Sequence, residues 1–504
     1  MNTKIDNSLA LLEWETFDWP QEFSHISLSK GIYNLPSNTK VSVYRNSEYK
    51  LTGNATGTVK NKDDIEYNGG RTTPEAGEFM ETETISGKKP GYETFTLKDV
   101  LLGANSLTFS GSSPNPDINF KAEILTWEFE CENINFNPQD TSTLLEFYLC
   151  GQNQFFWPRS TDRKKTTKTA KVRVGIDEES IEADRISYMG GGGARDFLFI
   201  DTTEYAIIVQ QVDSQYLPEW GNGIQFEYRA KLRPIPEKEE RKAISEIVSF
   251  VLGTHLLKIG DAEFDQVDNL LKRTAYSPWG DNVISKCKSA SKPPISLHHY
   301  QEWAKIEKLL NHLVPIYLVK RVDYNLKDVL WKYWIAGELP IGTNLPILSS
   351  ALETLAESYI NTNGLVKSYT KKEKKNYRTL VDADLKSMSE KLEPYDFKKR
   401  VLDKMNNPFN VGVGEKIKLF FESLNFNFHK DSIENRALQA RNAMTHGPLE
   451  SGTQEIREYI TLSHAYKSLF NRTLLCVLDY KGDYRDYSAI GHPDRDMSEN
   501  LVGK

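Results

Sequence analysis

The sequence is poor in cysteine: four in 504 residues, Cys131, Cys150, Cys287 and Cys476, widely scattered and with no CxxC pair. Such spacing makes neither a disulfide framework nor a zinc site, and it predicts reduced thiols in a cytosolic, cytoplasmic protein. Runs of 18 or more apolar residues are absent, which excludes a transmembrane helix and predicts no membrane partner. The opening residues Met1-Asn2-Thr3-Lys4-Ile5-Asp6 lack a basic start followed by an apolar stretch, so no secretory leader is predicted. GxSxG and HExxH are missing, and with them the ordinary hydrolase and metalloprotease signatures. No Lys-Ser/Thr follows Gly190–Gly193, so these glycines read as a turn or loop rather than a phosphate cradle.

What is present is 39% hydrophobic and 26% charged, too long for one ordinary domain and too apolar for a disordered chain. Two to four packed domains are predicted. A formal net charge of −7 argues against a protein that coats nucleic acid over its whole surface. The charge is uneven, however: from Asn363 to Gly447, 17 Lys and Arg face 11 Asp and Glu. A phosphate-bearing partner is best sought there, although a solvated helical surface explains the same composition.

Up to about residue 235 the pattern is β. Leu125, Trp127, Phe129 and Cys131 alternate with polar residues, as do Phe226, Tyr228, Ala230 and Leu232, and Lys171–Ile176 repeats the pattern. Period-two alternation predicts one buried and one wetted face, as in a sandwich. Segments such as Gly111–Pro116 punctuate the strands. After Pro234-Ile235-Pro236 the period changes. Ile244, Ile247, Val248, Val251, Leu252, Leu256 and Ile259 form one helical stripe. Further helices are predicted near 299–321, 324–336, 345–361, 373–391, 395–405, 413–424, 431–446 and 453–479, with breaks such as Asn361–Gly364 and Asn406-Asn407-Pro408. The fold class predicted is α+β and multidomain: sandwich-like antiparallel sheets, then an all-α bundle. The divisions are a β-rich domain over 1–235, a helical linker or bundle extension over 236–324, a helical domain over 325–485 and a polar tail over 486–504.

Few segments carry chemistry. Adjacent His298 and His299 point about 100° apart on a helix and have no partner at ligand spacing. His255 falls on an apolar stripe and reads as a core histidine. The segment Arg441-Asn442-Ala443-Met444-Thr445-His446-Gly447-Pro448 is different. It ends a helix opened by Asp431 or Ser432 as N-cap and closed by Gly447 and Pro448. Asn442 and His446 are i,i+4 and share a face. Unpaired carbonyls at a helix C-terminus favour an imidazolium there, and a cationic histidine beside a guanidinium suits a phosphate. A loose Arg…His spacing is expected about once by chance in this composition, whereas Arg-Asn-x-x-x-His is expected only ~0.02 times. Arg457…His464 and Arg485…His492 satisfy only the loose form; they read as a helix–helix contact and a stretch without helical period.

On these residues the chain resembles a HEPN domain, an all-α bundle whose signature is Arg, a polar residue, three to five more residues, then His. The segment Leu352–Tyr359 resembles the first helix of that family and the long helix 453–479 its last, so the resemblance covers about 325–485. A β-rich first half before it is similar to the ApeA-type anti-phage proteins. The resemblance implies a metal-independent endoribonuclease with no cofactor, acting as a homodimer in which two Arg…His motifs form one cleft. It implies that His446 serves as general acid or base, Arg441 binds phosphate oxygens, and Asn442 orients His446 or bonds the phosphate. Products would be a 2′,3′-cyclic phosphate and a 5′-OH. RNA (tRNA or another cellular or phage RNA) would be the substrate, in phage defence by abortive infection, with the β-rich domain sensing a phage-derived trigger or positioning the RNA. Two alternatives stand beside this: a non-catalytic HEPN interaction or dimerisation protein, and a chain dominated by a carbohydrate- or peptide-binding β-domain.

Overall fold

A computed structural model describes residues 21–62, 65, 81–89, 93–102, 107–110, 118–133, 136–151, 157–160, 162–163, 170–171, 195–202, 204–212, 217, 221–230, 234–266, 270–278, 292–297, 305–340, 343–366, 369–406, 411–426, 428–446 and 453–499. The chain divides into two compact units, Met1–Pro315 and Ile316–Lys504. It is α+β, with a β-rich N-terminal region and C-terminal helices. No helix among the described residues is long and apolar enough to cross a membrane. Cys131, Cys150 and Cys476 are in no disulfide among the described residues; Cys287 lies outside the described residues, as do Gly111–Pro116, Gly190–Gly193 and His298-His299.

The first unit begins with β1 (Gln21–Leu28), β2 (Lys40–Arg45), β3 (Leu51–Val59), β4 (Glu83–Lys89), β5 (Glu93–Leu102), β6 (Thr108–Ser110), β7 (Ile118–Thr126), β8 (Glu128–Asn133) and β9 (Thr143–Gly151). Then come β10 (Arg159–Ser160), β11 (Asp162–Arg163), β12 (Ala170–Lys171), β13 (Arg195–Asp201), β14 (Tyr205–Val212) and β15 (Gly221–Ala230). Helix α1 (Lys238–Leu252) and the strands β16 (Leu257–Phe264) and β17 (Leu270–Tyr276) follow.

Apart from the β11–β12 pair, these strands form one array in the order β10-β13-β14-β15-β9-β16-β17-β8-β5-β4-β1-β2-β3-β7-β6. An extra pairing of β5 with β7, Leu101 opposite Leu125, closes β1, β2, β3, β7, β5 and β4 into a barrel. The architecture is therefore a barrel continued by an open sheet, not the two facing sheets of the predicted sandwich. Alternation fills the barrel with Val41, Val43, Ala55, Leu97, Ala122 and Ile124. Stacked Phe23, Phe95 and Phe129 lie 5.4 and 5.5 Å apart in succession. Each such ring contributes about 1.5–3 kcal/mol by leaving water.

The predicted strand Leu125–Cys131 is two strands. The buried phase is even-numbered through β7 and odd-numbered in β8, so it slips at Trp127, and Leu125 is 48% exposed while Thr126 is buried. A one-residue slip sends every later side chain to the other face. Alternation beyond the bend thus described β8 correctly and β7 inversely.

Two features show where the sheet is dry. Glu83 is buried, and its carboxylate accepts from Ser29 N–H and Oγ–H, Lys30 N–H, Ile32 N–H and Thr84 N–H at 2.7–2.9 Å. Burial pushes its pKa up, but these bonds hold it below the ordinary carboxylate value. On β9, which is buried along its whole length, the Glu146 carboxylate accepts from Lys258 Nζ (2.6 Å), Arg241 Nε of α1 (2.9 Å) and Tyr148 OH (2.7 Å). Lys258 also meets Asp261 at 2.7 Å, and Asp261 accepts from Tyr276 OH at 2.9 Å. Two anions and two cations thereby balance inside the sheet.

The span 236–324, predicted as a helical linker or bundle extension, is helical at α1 and again at Lys305–Lys320, but between these it holds the β16–β17 hairpin, which fits between β9 and β8. The apolar stripe through Leu256 and Ile259 breaks because α1 stops at Gly253, whose φ of 67° is left-handed. A Cβ there would sit 2.1 Å from the Pro293 nitrogen, so only glycine serves.

Helices α2 (Lys305–Lys320), α3 (Leu326–Glu338), α4 (Asn344–Thr362), α5 (Lys371–Lys391), α6 (Lys398–Asn406), α7 (Val413–Ser423), α8 (Ile433–His446) and α9 (Thr453–Val477) come next. In the second unit Tyr333 of α3 stacks on Phe470 of α9 at 4.9 Å, and Tyr359 of α4 meets Phe420 of α7 edge-on at 5.2 Å. The predicted polar tail is also corrected. Among the described residues 483–499, β18 (Asp483–Arg485) pairs with β19 (Asp494–Asp496), and Tyr484, Asp486, Tyr487 and Met497 are buried. Strands of three residues leave no period to read in a sequence.

Candidate functional site

The motif helix α8 starts as capping chemistry requires. Of the two predicted caps, Ser432 is the one used: its hydroxyl accepts the Asn435 N–H at 3.2 Å. Ser432, Glu434 and Ala437 are buried, so the first half of α8 is seated on its neighbours. Glu434, in the first turn, lies 3.4 Å from the Arg472 guanidinium of α9, and both side chains are 2% exposed. Arg472 donates from Nε (3.0 Å) and Nη2 (2.5 Å) to the Met497 carbonyl beyond β19. Its guanidinium also lies over the rings of Phe426 (4.5 Å) and Tyr484 (5.3 Å). Burial pushes the Glu434 carboxyl above its ordinary pKa against the opposing pull of Arg472. Nearer the surface, Arg436 pairs with Glu458 of α9 at 2.7 Å.

This arrangement fixes the origin and direction of α8. Arg441, Asn442 and His446 occupy its last two turns, as the sequence predicted; their side chains, with Gly447 and Pro448, lie outside the described residues. Helical register sets residue 441 two turns beyond Glu434 and residues 442 and 446 one turn apart. The carbonyls that end the helix supply the negative end of its dipole at residue 446.

Neither Glu434 nor Arg472 was singled out from the sequence. An acidic first-turn residue is a common helix feature, and an arginine between the apolar pairs Leu469-Phe470 and Leu474-Leu475 is the signal that could have found the pair. The two looser Arg…His matches end in histidines that meet. His464 of α9 and His492 of the β18–β19 turn have ring centroids 6.5 Å apart, and His492 lies 5.0 Å from Tyr487. His464 therefore makes a helix–hairpin contact rather than the helix–helix contact expected.

No protein-family model, curated protein sequence or solved structure matches the chain, so its function is read from its own residues.

Proposed function

We propose that the chain is a metal-independent endoribonuclease of the HEPN kind, used in anti-phage defence by abortive infection, with residues 325–485 forming the nuclease bundle. The observation that supports this reading is Arg441-Asn442-x-x-x-His446 at the C-terminal end of a helix whose other end is held by a buried ion pair. RNA brings its own nucleophile. The 2′-OH attacks the adjacent phosphorus, the bond from phosphorus to the 5′-oxygen breaks, and the ends left are a 2′,3′-cyclic phosphate and a 5′-OH. One imidazole accepts the 2′-OH proton and a second protonates the departing oxygen, which is why two copies of His446 across a homodimer suit the reaction. Arg441 carries the charge that builds on the phosphoryl oxygens, and Asn442 orients the imidazole or bonds the phosphate. No step calls for a cofactor. The β-rich region senses the trigger or positions the RNA.

The test is purified chain with total RNA in excess EDTA, beside His446→Ala and Arg441→Ala. Cleavage by the parent that EDTA leaves intact, and a loss of about 10²–10⁴ in rate in the variants with unchanged circular dichroism, is expected. Cleavage that survives either substitution, or that EDTA abolishes, overturns the mechanism. A chain that cuts no RNA under any trigger is instead a non-catalytic interaction protein.

A further inference from the structure

Helix α5 runs for 21 residues without one buried residue. It is nonetheless firmly started: the Thr370 N–H donates to Glu373 Oε2 at 2.7 Å, and Glu373 N–H returns a bond to Thr370 Oγ1 at 3.2 Å. Tyr377, Val381, Leu385 and Met388, at helical spacing, form its half-buried stripe. Tyr377 OH donates to the Met405 carbonyl of α6 at 2.9 Å, so that stripe faces α6.

A different stripe carries Lys371, Lys374, Lys375 and Arg378, at i, i+3, i+4 and i+7, all exposed. Among the described residues the ion pair on α5 is Lys386–Asp382 at 3.0 Å, and no carboxylate neutralises these four cations. They crowd into about 10 Å of helix, and like charges at this spacing destabilise the helix that bears them. Such a stripe, in a chain of net charge −7, is a local exception that a polyanion would relieve. An independent feature lies in the turn from α5 to α6. Tyr395 and Phe397 stack on each other at 5.0 Å while remaining 53% and 51% exposed. The rings stand at the end of α5 opposite the cations, roughly 20–30 Å along its axis, a span that several nucleotides of an extended strand cover. Cations for phosphates and an exposed ring pair for a base face are what a nucleic-acid strand uses.

We propose that the α5–α6 hairpin is the arm on which single-stranded RNA docks, its phosphates held by Lys371, Lys374, Lys375 and Arg378 and an unstacked base held by Tyr395 and Phe397. This rests on the ribonuclease reading and names where that substrate is gripped.

The experiment replaces the four cations by Gln, which matches Lys and Arg in helix propensity. It measures binding of a fluorescent single-stranded RNA to the full chain carrying His446→Ala. With four fewer phosphates neutralised on a single strand, the dependence of log affinity on log salt becomes shallower by about 3. Between about 50 and 200 mM salt the parent then loses roughly 50-fold more affinity than the variant. A variant with Lys371, Lys374 and Lys375 as Arg keeps the parent slope. Tyr395→Ala with Phe397→Ala weakens binding on the order of tenfold at unchanged slope. The proposal is overturned if the parent binds RNA and the Gln variant matches its affinity and slope, or if polyglutamate competes as well as RNA, which assigns the stripe to an acidic protein. A parent that neither binds nor cuts RNA instead removes the ribonuclease reading itself.

Discussion

Replacing Glu146 by Gln tests how the β-rich unit is held together. Glu146 is 1% exposed and lies within 2.9 Å of Arg241 and 2.6 Å of Lys258, themselves shielded. Burial alone raises its carboxyl pKa; Lys258, Arg241 and the bonds from Lys258 and Tyr148 more than reverse this and hold it down to about 2. The shift from 4.5 to about 2 is worth about 3 kcal/mol at neutral pH. Breaking a buried pair from one side costs about 3–5 kcal/mol, since a neutral amide at this position leaves two buried cations facing Asp261 alone. A depressed carboxylate pKa contributes stability that is complete above 4.5 and is lost as pH falls toward 2. Hydrogen exchange of the β9 and β16 amides is the assay, because a chain of two units need not unfold in one step. The parent should lose about 3 kcal/mol of protection between pH 5 and 2 through Glu146, and E146Q should show that loss already at pH 7 and fall by correspondingly less across the window, keeping the acid dependence of other depressed carboxylates such as Glu83. A loss under about 1 kcal/mol at pH 7 would refute the claim that the network is dry and mutually dependent.

Gly253→Ala should lower the melting temperature at a cost of about 2 kcal/mol or more, through both the positive φ and the clash with Pro293, read by differential scanning calorimetry. Arg472→Met should cost about 3–5 kcal/mol by stranding Glu434, and should depress RNA cleavage through α8 although Arg472 touches no substrate; full activity with normal stability would contradict the anchoring role. Lys98→Met should cost no more than about 1 kcal/mol in urea titrations, because Lys98, 2.8 Å from Glu128, is 40% exposed and its pairs are screened.

The helices were legible because their stripes are long and their ends are marked. The predicted 345–361, 413–424 and 431–446 compare with Asn344–Thr362, Val413–Ser423 and Ile433–His446. The sheet was less so, for physical reasons. Alternation reports one wetted face, yet β9 is buried on both and even Glu227 of β15 is buried, paired to Arg229 at 2.5 Å. Closure of the barrel depends on β5 bonding to β7 as well as to its hairpin partner β4, and the β5–β7 pairing has no local signature. Position of the motif on α8 was readable from the sequence; what seats that helix was not, since Glu434 and Arg472 are 38 residues apart.

The proposed chemistry stands or falls with the 2′-OH of RNA as nucleophile, served by Arg441 and His446. A defined RNA with a single 2′-deoxy substitution at the mapped scissile nucleotide removes that nucleophile and nothing else. Uncut deoxy substrate, with 2′,3′-cyclic phosphate ends on the unmodified strand, is the expected result. Cleavage of the deoxy strand, or 5′-phosphate ends on the products, would contradict it.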